Sequence, residues 1–245
     1  MRVIEAEDYQ ELSNIAADFF INKVKENPEI TLGLATGGTP KGTYRKMVED
    51  HDKHGTSYRS VTTFNLDEYV GLDSDHPNSY YQFMETHLFN EIDLPFRQKH
   101  LPNGVAKDIY KECIEYERTI EQCGGIDVQL LGLGSNGHIG FNEPGTAFET
   151  MTHVVELTQS TRQANARFFN QLDEVPQRAI TMGISTIMQS KEIVLLVSGE
   201  SKQHALQQLL TRQSDEGFPA SVLTKHPHVT IIADRKALSG IPVNG

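Results

Sequence analysis

One stretch of the chain, residues 128–145, reads VQLLGLGSNGHIGFNEPG. Its first six residues are mostly apolar, which is typical of a strand buried on both faces of a parallel sheet. Glycine recurs through the twelve residues that follow, and these also carry Asn136, His138 and Glu143. In open parallel sheets, ligands bind beyond the carboxyl ends of the strands. The stretch therefore predicts both a strand of a parallel sheet and a polar loop at its binding edge.

The rest of the chain repeats this pattern. Further apolar runs lie at 30–35, 61–66, 193–197 and 229–233, and amphipathic segments of helical length lie between the runs, at 9–27, 40–54, 78–89, 106–123, 160–169 and 202–210. Alternating strands and helices predict an α/β fold with a doubly wound, mainly parallel sheet flanked by helices, a Rossmann-like three-layer sandwich. Because no repeat or composition break divides the chain, we expect one domain over residues 1–245.

Composition limits the possible partners and the cellular setting. The formal net charge of −11 opposes binding to nucleic acid, and no run approaches the ~20 apolar residues of a membrane span. The N-terminus is acidic where a signal peptide would be apolar, and the chain has only two cysteines, Cys113 and Cys123. We expect a cytoplasmic protein that acts on a small molecule, with a homo-oligomer left open.

The loop after the first long apolar run contains Thr36, Gly37, Gly38 and Thr39, followed by Pro40. Glycine lets the backbone approach a ligand closely, threonine can cap a helix, and proline suits the first helical position. Free N–H groups at a helix N-terminus bind phosphate. The loop predicts a phosphate site, and the alternative is an ordinary strand-to-helix turn.

Two acidic residues, Asp67 and Glu68, follow the second run. A carboxylate at the end of a buried strand is suited to removing a proton next to a carbonyl. Since successive strand side chains point to opposite faces, one of the two and not both should face the site. The alternative is that both begin a solvated acidic loop.

The glycine-rich loop offers a second proton-transfer group. His138 can move protons near neutral pH, and Glu143 lies close enough along the chain to fix its tautomer. The alternatives are an ordinary loop histidine and a helix-capping glutamate. A metal site built from Asp67, His138 and Glu143 is a weaker interpretation than proton transfer, because none of the usual zinc-ligand spacings is present.

Three cations follow later apolar runs or sit on a polar helical segment. Arg162 and Arg167 lie within 161–169, and Lys202 lies just after the run at 193–197. Arginine can hold a phosphate through two hydrogen bonds, while lysine acts as a point charge. These residues could complete an anion site, or they could be surface residues.

At this point the sequence resembles a known family. The strings LATGGTP (34–40), NLDEY (65–69), GHIGFNEPG (137–145) and TRQANARFF (161–169) closely resemble the glucosamine-6-phosphate deaminases, and the likeness runs nearly end to end. The resemblance implies an enzyme that converts glucosamine 6-phosphate and water to fructose 6-phosphate and ammonia, a hydrolase acting on a C–N bond in amino-sugar catabolism. It implies no metal and no organic cofactor.

The resemblance also implies roles for individual residues. His138, supported by Asn136 and Glu143, would assist opening of the sugar ring, and Asp67 would take the C2 proton and return it at C1. The phosphate-binding positions of the family match Thr36, Gly37, Gly38, Thr39, Arg167 and Lys202.

Two positions depart from the family pattern. Many relatives have aspartate where this chain has Asn136, which makes Glu143 the main ionic partner of His138. Members activated by N-acetylglucosamine 6-phosphate have a basic pair where this chain has 153–155, and a longer tail; Val155 stands where a cation is expected. We predict that this ligand does not activate the protein.

Two rival functions need different tests. A 6-phosphogluconolactonase shares the fold type and a Gly-His loop but hydrolyses a lactone, and a non-catalytic sensor would bind a sugar phosphate without turnover. Residues 141–144 and Asp67 favour the deaminase over the lactonase. No output domain is visible for a sensor. Whether 160–169 closes over the substrate as a lid is left open.

Overall fold

The computed structural model describes residues 1–242, and its centre is a seven-stranded sheet in the order β1-β10-β9-β6-β2-β3-β5. All neighbouring strands of this sheet run parallel. The strands are β1 (Arg2–Ala6), β2 (Thr31–Leu34), β3 (Thr62–Asn65), β5 (Lys99–His100), β6 (Val128–Gly132), β9 (Glu192–Val197) and β10 (Val229–Asp234). All five predicted strands belong to it. The predicted α/β fold with a mainly parallel sheet is confirmed, and of the predicted domain 1–245, residues 243–245 lie outside the described part.

Helices alternate with the strands as predicted. They are α1 (Tyr9–Glu26), α2 (Lys41–His54), α3 (Tyr80–His87), α4 (Ile109–Gln122), α5 (Gln159–Asn165), α6 (Ile184–Met188), α7 (Gln203–Thr211) and α8 (Arg235–Leu238). Each predicted helical segment contains one of them, and the segment at 160–169 divides into α5 and a 3-10 helix, Ala166–Phe168. Two short helices, α6 and α8, were not predicted, because four or five residues are too few to show a helical period.

Helix α1 shows how local sequence sets these elements. The Asp8 side chain caps its first turn by accepting a hydrogen bond from the Glu11 N–H. Leu12, Ala16 and Phe20 lie on one face at helical spacing and are buried against the sheet and α2. The helix therefore begins at a specific cap and is held by its apolar face.

A second sheet was not predicted. Three short antiparallel strands pair in the order β4-β8-β7: β4 (Asp67–Tyr69), β8 (Arg178–Thr181) and β7 (His153–Glu156). The chain passes from β3 of the main sheet to β4 through the single residue Leu66. This step places Asp67 opposite Thr181 at the edge of the main sheet.

Within residues 1–242, none of the helices is long and apolar enough to cross a bilayer.

Candidate active site

A pocket of about 480 Å³ opens at the carboxyl ends of β2, β3 and β6. Eight of the ten predicted site residues line it: Thr36, Gly37, Gly38, Thr39, Asp67, His138, Arg167 and Lys202. The other two, Asn136 and Glu143, lie behind His138 and contact each other. The structure thus brings together residues from five separate segments of the chain, at the edge of the sheet where the strand order places a ligand site.

The loop of Gly37 and Gly38 approaches the pocket with its backbone. Gly37 has a φ of 103°, a conformation that favours glycine. Among the described residues, no hydrogen bond uses the N–H groups of Gly37, Gly38 or Thr39. These free donors lie just before α2, whose N-terminus carries a partial positive charge. The loop can therefore hold an anion such as a phosphate.

The predicted cap of α2 is wrong. The helix begins at Lys41, its N-cap is Pro40, and no side chain caps it, so Thr39 is not the cap and Pro40 is not the first helical residue. Instead, the Tyr9 hydroxyl from α1 lies 3.0 Å from the Gly38 carbonyl oxygen and 3.1 Å from that of Thr39, and accepts a hydrogen bond from the Gly42 N–H at 2.9 Å. Tyr9 thus fixes the loop to α1, a role that no sequence signal indicated.

Asp67 is buried and faces the pocket. Burial raises the pKa of Asp67 to about 8, and the negative charge of the neighbouring Glu68 adds to the shift. Gly140 comes close to it: a Cβ built on Gly140, whose φ is 58°, would lie 3.7 Å from Asp67 Oδ2. A carboxylate made basic in this way is suited to abstracting a proton from carbon near neutral pH.

Glu68 points away from the pocket and has a structural role. Its carboxylate accepts hydrogen bonds from the backbone N–H groups of Tyr69, Tyr80 and Tyr81, at 2.8, 3.0 and 2.9 Å. Two of these donors are the first residues of α3, so Glu68 provides an acceptor for N–H groups that have no partner within that helix. The two carboxylates do point to opposite faces, and since both are buried, the alternative of a solvated acidic loop is wrong.

The glycines of the 132–145 loop hold the His138 ring. The Gly134 N–H donates to the His138 carbonyl at 2.9 Å, and the Gly137 N–H donates to the Gly134 carbonyl at 3.0 Å. A Cβ on Gly134 would lie 2.4 Å from ring atoms of His138, so the imidazole packs directly on the backbone of Gly134. A side chain at residue 134 would displace the ring.

Glu143 lies behind that ring. Its Oε1 is 3.7 Å from His138 Nδ1 and accepts a hydrogen bond from the Thr161 hydroxyl at 2.5 Å, while its Oε2 accepts one from Asn136 Nδ2 at 2.6 Å. Although burial opposes ionisation, the pKa of Glu143 is lowered to about 2 by the nearby His138 and by hydrogen bonds from Thr161 and the Asn136 amide. Glu143 therefore stays ionised and can stabilise a charged imidazole.

Asn136 orients both partners. Its Oδ1 accepts the His138 backbone N–H at 3.2 Å, and its Nδ2 donates to Glu143. Thr161, which the sequence reasoning did not single out, lies on α5 and is buried. Its only sequence signal was its place in the string TRQANARFF.

The cations separate into two groups. Arg167 and Lys202 line the pocket, and both burial and the charge of Arg167 lower the pKa of Lys202, which means that the two cations lie near each other. Arg162 does not reach the pocket; its guanidinium donates to the carbonyls of Leu172 and Val175 at 3.0–3.2 Å. Two neighbouring cations and the free N–H groups of 37–39 line one pocket, an arrangement suited to binding an anion.

The alternative metal site is not formed. Within residues 1–242, no three His, Cys, Asp or Glu side chains converge as metal ligands, and Asp67, His138 and Glu143 are not such a group.

Comparison with known proteins extends these observations. Residues 6–232 match the family of glucosamine-6-phosphate isomerases and 6-phosphogluconolactonases. The glucosamine-6-phosphate deaminase of Halalkalibacterium halodurans is 58% identical, over 100% of this chain and 99% of that protein. Glucosamine-6-phosphate deaminase 1 of Bacillus subtilis is 52% identical, over 98% of this chain and 99% of that protein.

Solved structures give the same result for the fold. A monomeric glucosamine-6-phosphate deaminase superposes with a TM-score of 0.96 at 51% identity, covering 98% of this chain and 99% of that one. A 6-phosphogluconolactonase from Trypanosoma cruzi superposes with a TM-score of 0.81 at 22% identity, covering 99% and 97%. The second likeness concerns the fold alone.

Proposed function

The chain belongs to the family of glucosamine-6-phosphate isomerases and 6-phosphogluconolactonases, and within this family we propose that it is a glucosamine-6-phosphate deaminase. Relatives that carry this name are 50–58% identical over nearly the whole chain. One observation of the site carries the assignment to this chemistry. A buried carboxylate with a raised pKa, Asp67, faces the same pocket as His138, which has the ionised Glu143 behind it, so a base for carbon and a proton shuttle for oxygen line one pocket.

The proposed reaction is glucosamine 6-phosphate plus water to fructose 6-phosphate plus ammonia. One C–N bond is broken and the water oxygen becomes the C2 carbonyl oxygen, so the overall change is a hydrolysis coupled to an aldose–ketose isomerisation. We further propose that the reaction belongs to amino-sugar catabolism in the cytoplasm. The two cysteines, which are unpaired in the structure, are consistent with a reducing compartment.

In the first step, the phosphate binds to the N–H groups of 37–39, with Thr36, Arg167 and Lys202 around it. This places the sugar across the pocket with C1 and C2 toward His138 and Asp67. Holding a remote group lowers the barrier by fixing the reacting atoms, since effective molarities of well-placed groups are large.

Ring opening then needs a proton moved from the anomeric hydroxyl to the ring oxygen. His138 can take and return that proton, and an imidazole that gains charge is stabilised by Glu143, whose carboxylate remains ionised. Asn136 holds the backbone of His138 and the carboxylate of Glu143 in this arrangement.

The open-chain aldehyde has an acidic proton at C2. Asp67 removes it while the substrate's ammonium group gives a proton to the aldehyde oxygen, which yields the enolamine. Asp67 then returns its proton to C1, which leaves a protonated imine at C2. Water adds to that imine and ammonia leaves, and the product is the ketose. A base with a pKa near 8 is well matched to both directions of this transfer, because it can accept a proton from carbon and give it back.

The test is turnover by the purified protein. Ammonia release from glucosamine 6-phosphate, lost in Asp67→Asn, is the expected result. Hydrolysis of 6-phosphogluconolactone without ammonia release would make the protein a lactonase, and binding of the sugar phosphate without turnover of either compound would make it a sensor.

As a separate proposal, we expect a monomer in solution, since the solved relative is described as monomeric; light scattering measures this.

A further inference from the structure

The two oxygens of Glu143 are held from different parts of the fold. Oε2 accepts from Asn136, which lies on the same loop as Glu143, at 2.6 Å. Oε1 accepts from Thr161 on α5 at 2.5 Å. Oε1 is also the oxygen that faces His138 Nδ1, at 3.7 Å. The oxygen available to His138 is therefore held by a residue from outside the loop.

Thr161 is itself firmly held. It is buried, its N–H donates to the Thr158 hydroxyl at 3.2 Å, and the two hydroxyls are 3.0 Å apart. Thr158 is the N-cap of α5, so the position of the Thr161 hydroxyl is fixed by the first turn of that helix. Any shift of α5 relative to the glycine-rich loop moves the donor that holds Glu143 Oε1.

The same segment reaches the pocket. Thr161 and Asn165 on α5, and Arg167, Phe168 and Phe169 just after it, line the pocket. Arg167 lies near Lys202, where the phosphate of the substrate is proposed to bind. One short segment thus contacts both the proposed phosphate site and the carboxylate behind His138.

His138 Nδ1 is buried and has no hydrogen-bond partner in the described structure. At 3.7 Å from Glu143 Oε1 it is within the range of an ion pair but beyond that of a hydrogen bond. The distance would fall into hydrogen-bond range if the carboxylate moved by less than 1 Å. The residue that fixes Oε1 therefore sets how close the carboxylate lies to the imidazole of His138.

We propose that Thr161 is a positioning residue for ring opening: its hydroxyl sets the distance between Glu143 and His138, and so links that pair to the segment that contacts the phosphate. The inference rests on the proposed function. Although Thr161 lines the pocket, its hydroxyl is bonded to Glu143, and in this proposal it acts through that carboxylate.

The experiment compares three variants of the full chain. Thr161→Val keeps the shape and removes the hydroxyl, Thr161→Ser keeps the hydroxyl, and Ser160→Ala removes a neighbouring hydroxyl that bonds Thr158 and does not reach Glu143. Loss of a hydrogen bond to a charged group should lower kcat about 10-fold to 100-fold in Thr161→Val, with KM changed less than about threefold. Thr161→Ser and Ser160→Ala should stay within about twofold of the wild type.

A spectroscopic measurement separates positioning from general damage. Because the Thr161 hydrogen bond helps to lower the pKa of Glu143, its loss should make the ¹³C carboxyl resonance of Glu143 titrate at higher pH in Thr161→Val but not in Ser160→Ala. If Thr161→Val does not fold, Thr161→Ala takes its place.

The outcomes are distinguishable. A wild type without ammonia release overturns the proposed function. An active wild type with Thr161→Val at normal kcat, or with Thr161→Ser or Ser160→Ala as impaired as Thr161→Val, overturns the positioning role alone. A fall in kcat that the serine variant restores, together with the shifted Glu143 titration, supports it.

Discussion

Asp67 lines the pocket and Glu143 lies behind it, and the two carboxylates differ in the hydrogen-bond donors that surround them. Asp67 lies on β4, and among the described residues no hydrogen-bond donor reaches its carboxylate, so burial and the charge of Glu68 raise its pKa to about 8. Glu143 lies on a glycine-rich loop, receives hydrogen bonds from Thr161 and Asn136, and faces His138, so its pKa is lowered to about 2 despite burial.

The difference supports the two proposed roles independently of any relative. A carboxylate that is reluctant to ionise is a proton acceptor, and one that stays ionised is a partner for a cation. Separation of two pKa values in one site is the arrangement expected where two proton transfers must occur in succession. Both side chains are buried; at Asp67 burial is not offset by any donor among the described residues, whereas at Glu143 the hydrogen bonds and the nearby His138 outweigh it.

The strongest test of the contrast is Asp67→Asn. Removing the base should lower kcat about 10³-fold or more, measured by ammonia release. Stability should rise, because the folded state holds the Asp67 proton to higher pH than the unfolded chain, so ionisation destabilises the fold progressively between about pH 4 and pH 8. We expect a gain of about 1–3 kcal/mol at pH 8, measured by urea denaturation.

Glu68→Gln is the matched control for this experiment. Glu68 is also buried and adjacent to Asp67, but it accepts the N–H groups at the start of α3. The variant should lose stability and keep kcat within about tenfold. Equal loss of activity in both variants would contradict the assignment of the base to Asp67.

The second test is Glu143→Gln, with the opposite effect on stability. We expect kcat to fall about 100-fold, because the charged imidazole loses its partner. The folded pKa of Glu143 is lowered, so its ionisation stabilises the fold above about pH 4 and that contribution is lost as pH falls toward 2. The glutamine variant should therefore lose about 1–2 kcal/mol at pH 7, whereas Asp67→Asn gains. If both variants gained stability, or both lost it, the proposed contrast between the two carboxylates would be wrong.

The pH profile of the wild type is a third, smaller effect. If Asp67 is the base, kcat/KM reports its ionisation in the free protein. Since its pKa is raised to about 8, kcat/KM should increase about tenfold per pH unit below that value and level off above it. Stopped assays at constant ionic strength between pH 5 and pH 9 measure this. A plateau already reached at pH 5 would show that another group limits the rate.

Five of the seven strands of the main sheet were predictable because they are continuous apolar runs. The two edge strands were missed, because β1 is partly exposed and β5 has only two residues. The second sheet was not predictable, because β4, β7 and β8 are three or four residues long and pair only through tertiary structure. That sheet is what carries Asp67 into the pocket. The sequence therefore indicated the residue but assigned it to the end of a strand of the main sheet.

The parts of the site that could be predicted from the sequence lie on glycine-rich loops that directly follow buried strands. His138 and Glu143 stand on a glycine-rich loop that directly follows a buried strand, and the free N–H groups of 37–39 were predicted from the glycines of their own loop. Tyr9 and Thr161 were missed because each acts through a single hydroxyl from a distant helix. Arg162 was a candidate for the anion site only because it shares a segment with Arg167. Its guanidinium donates to backbone carbonyls instead.

The smallest expected effect comes from Asn136→Ala, and it tests which neighbour of His138 matters. Asn136 donates to Glu143 Oε2 at 2.6 Å and accepts the His138 N–H at 3.2 Å, but it is neutral, so its loss removes orientation and leaves the ionic partner in place. We expect kcat to fall about threefold to tenfold, less than in Glu143→Gln, in keeping with one hydrogen bond to a charged group. Both variants are assayed together for ammonia release at pH 8. If Asn136→Ala abolished activity while Glu143→Gln kept it, the partner of His138 would be the amide, and the contrast between the two carboxylates would no longer describe how the site works.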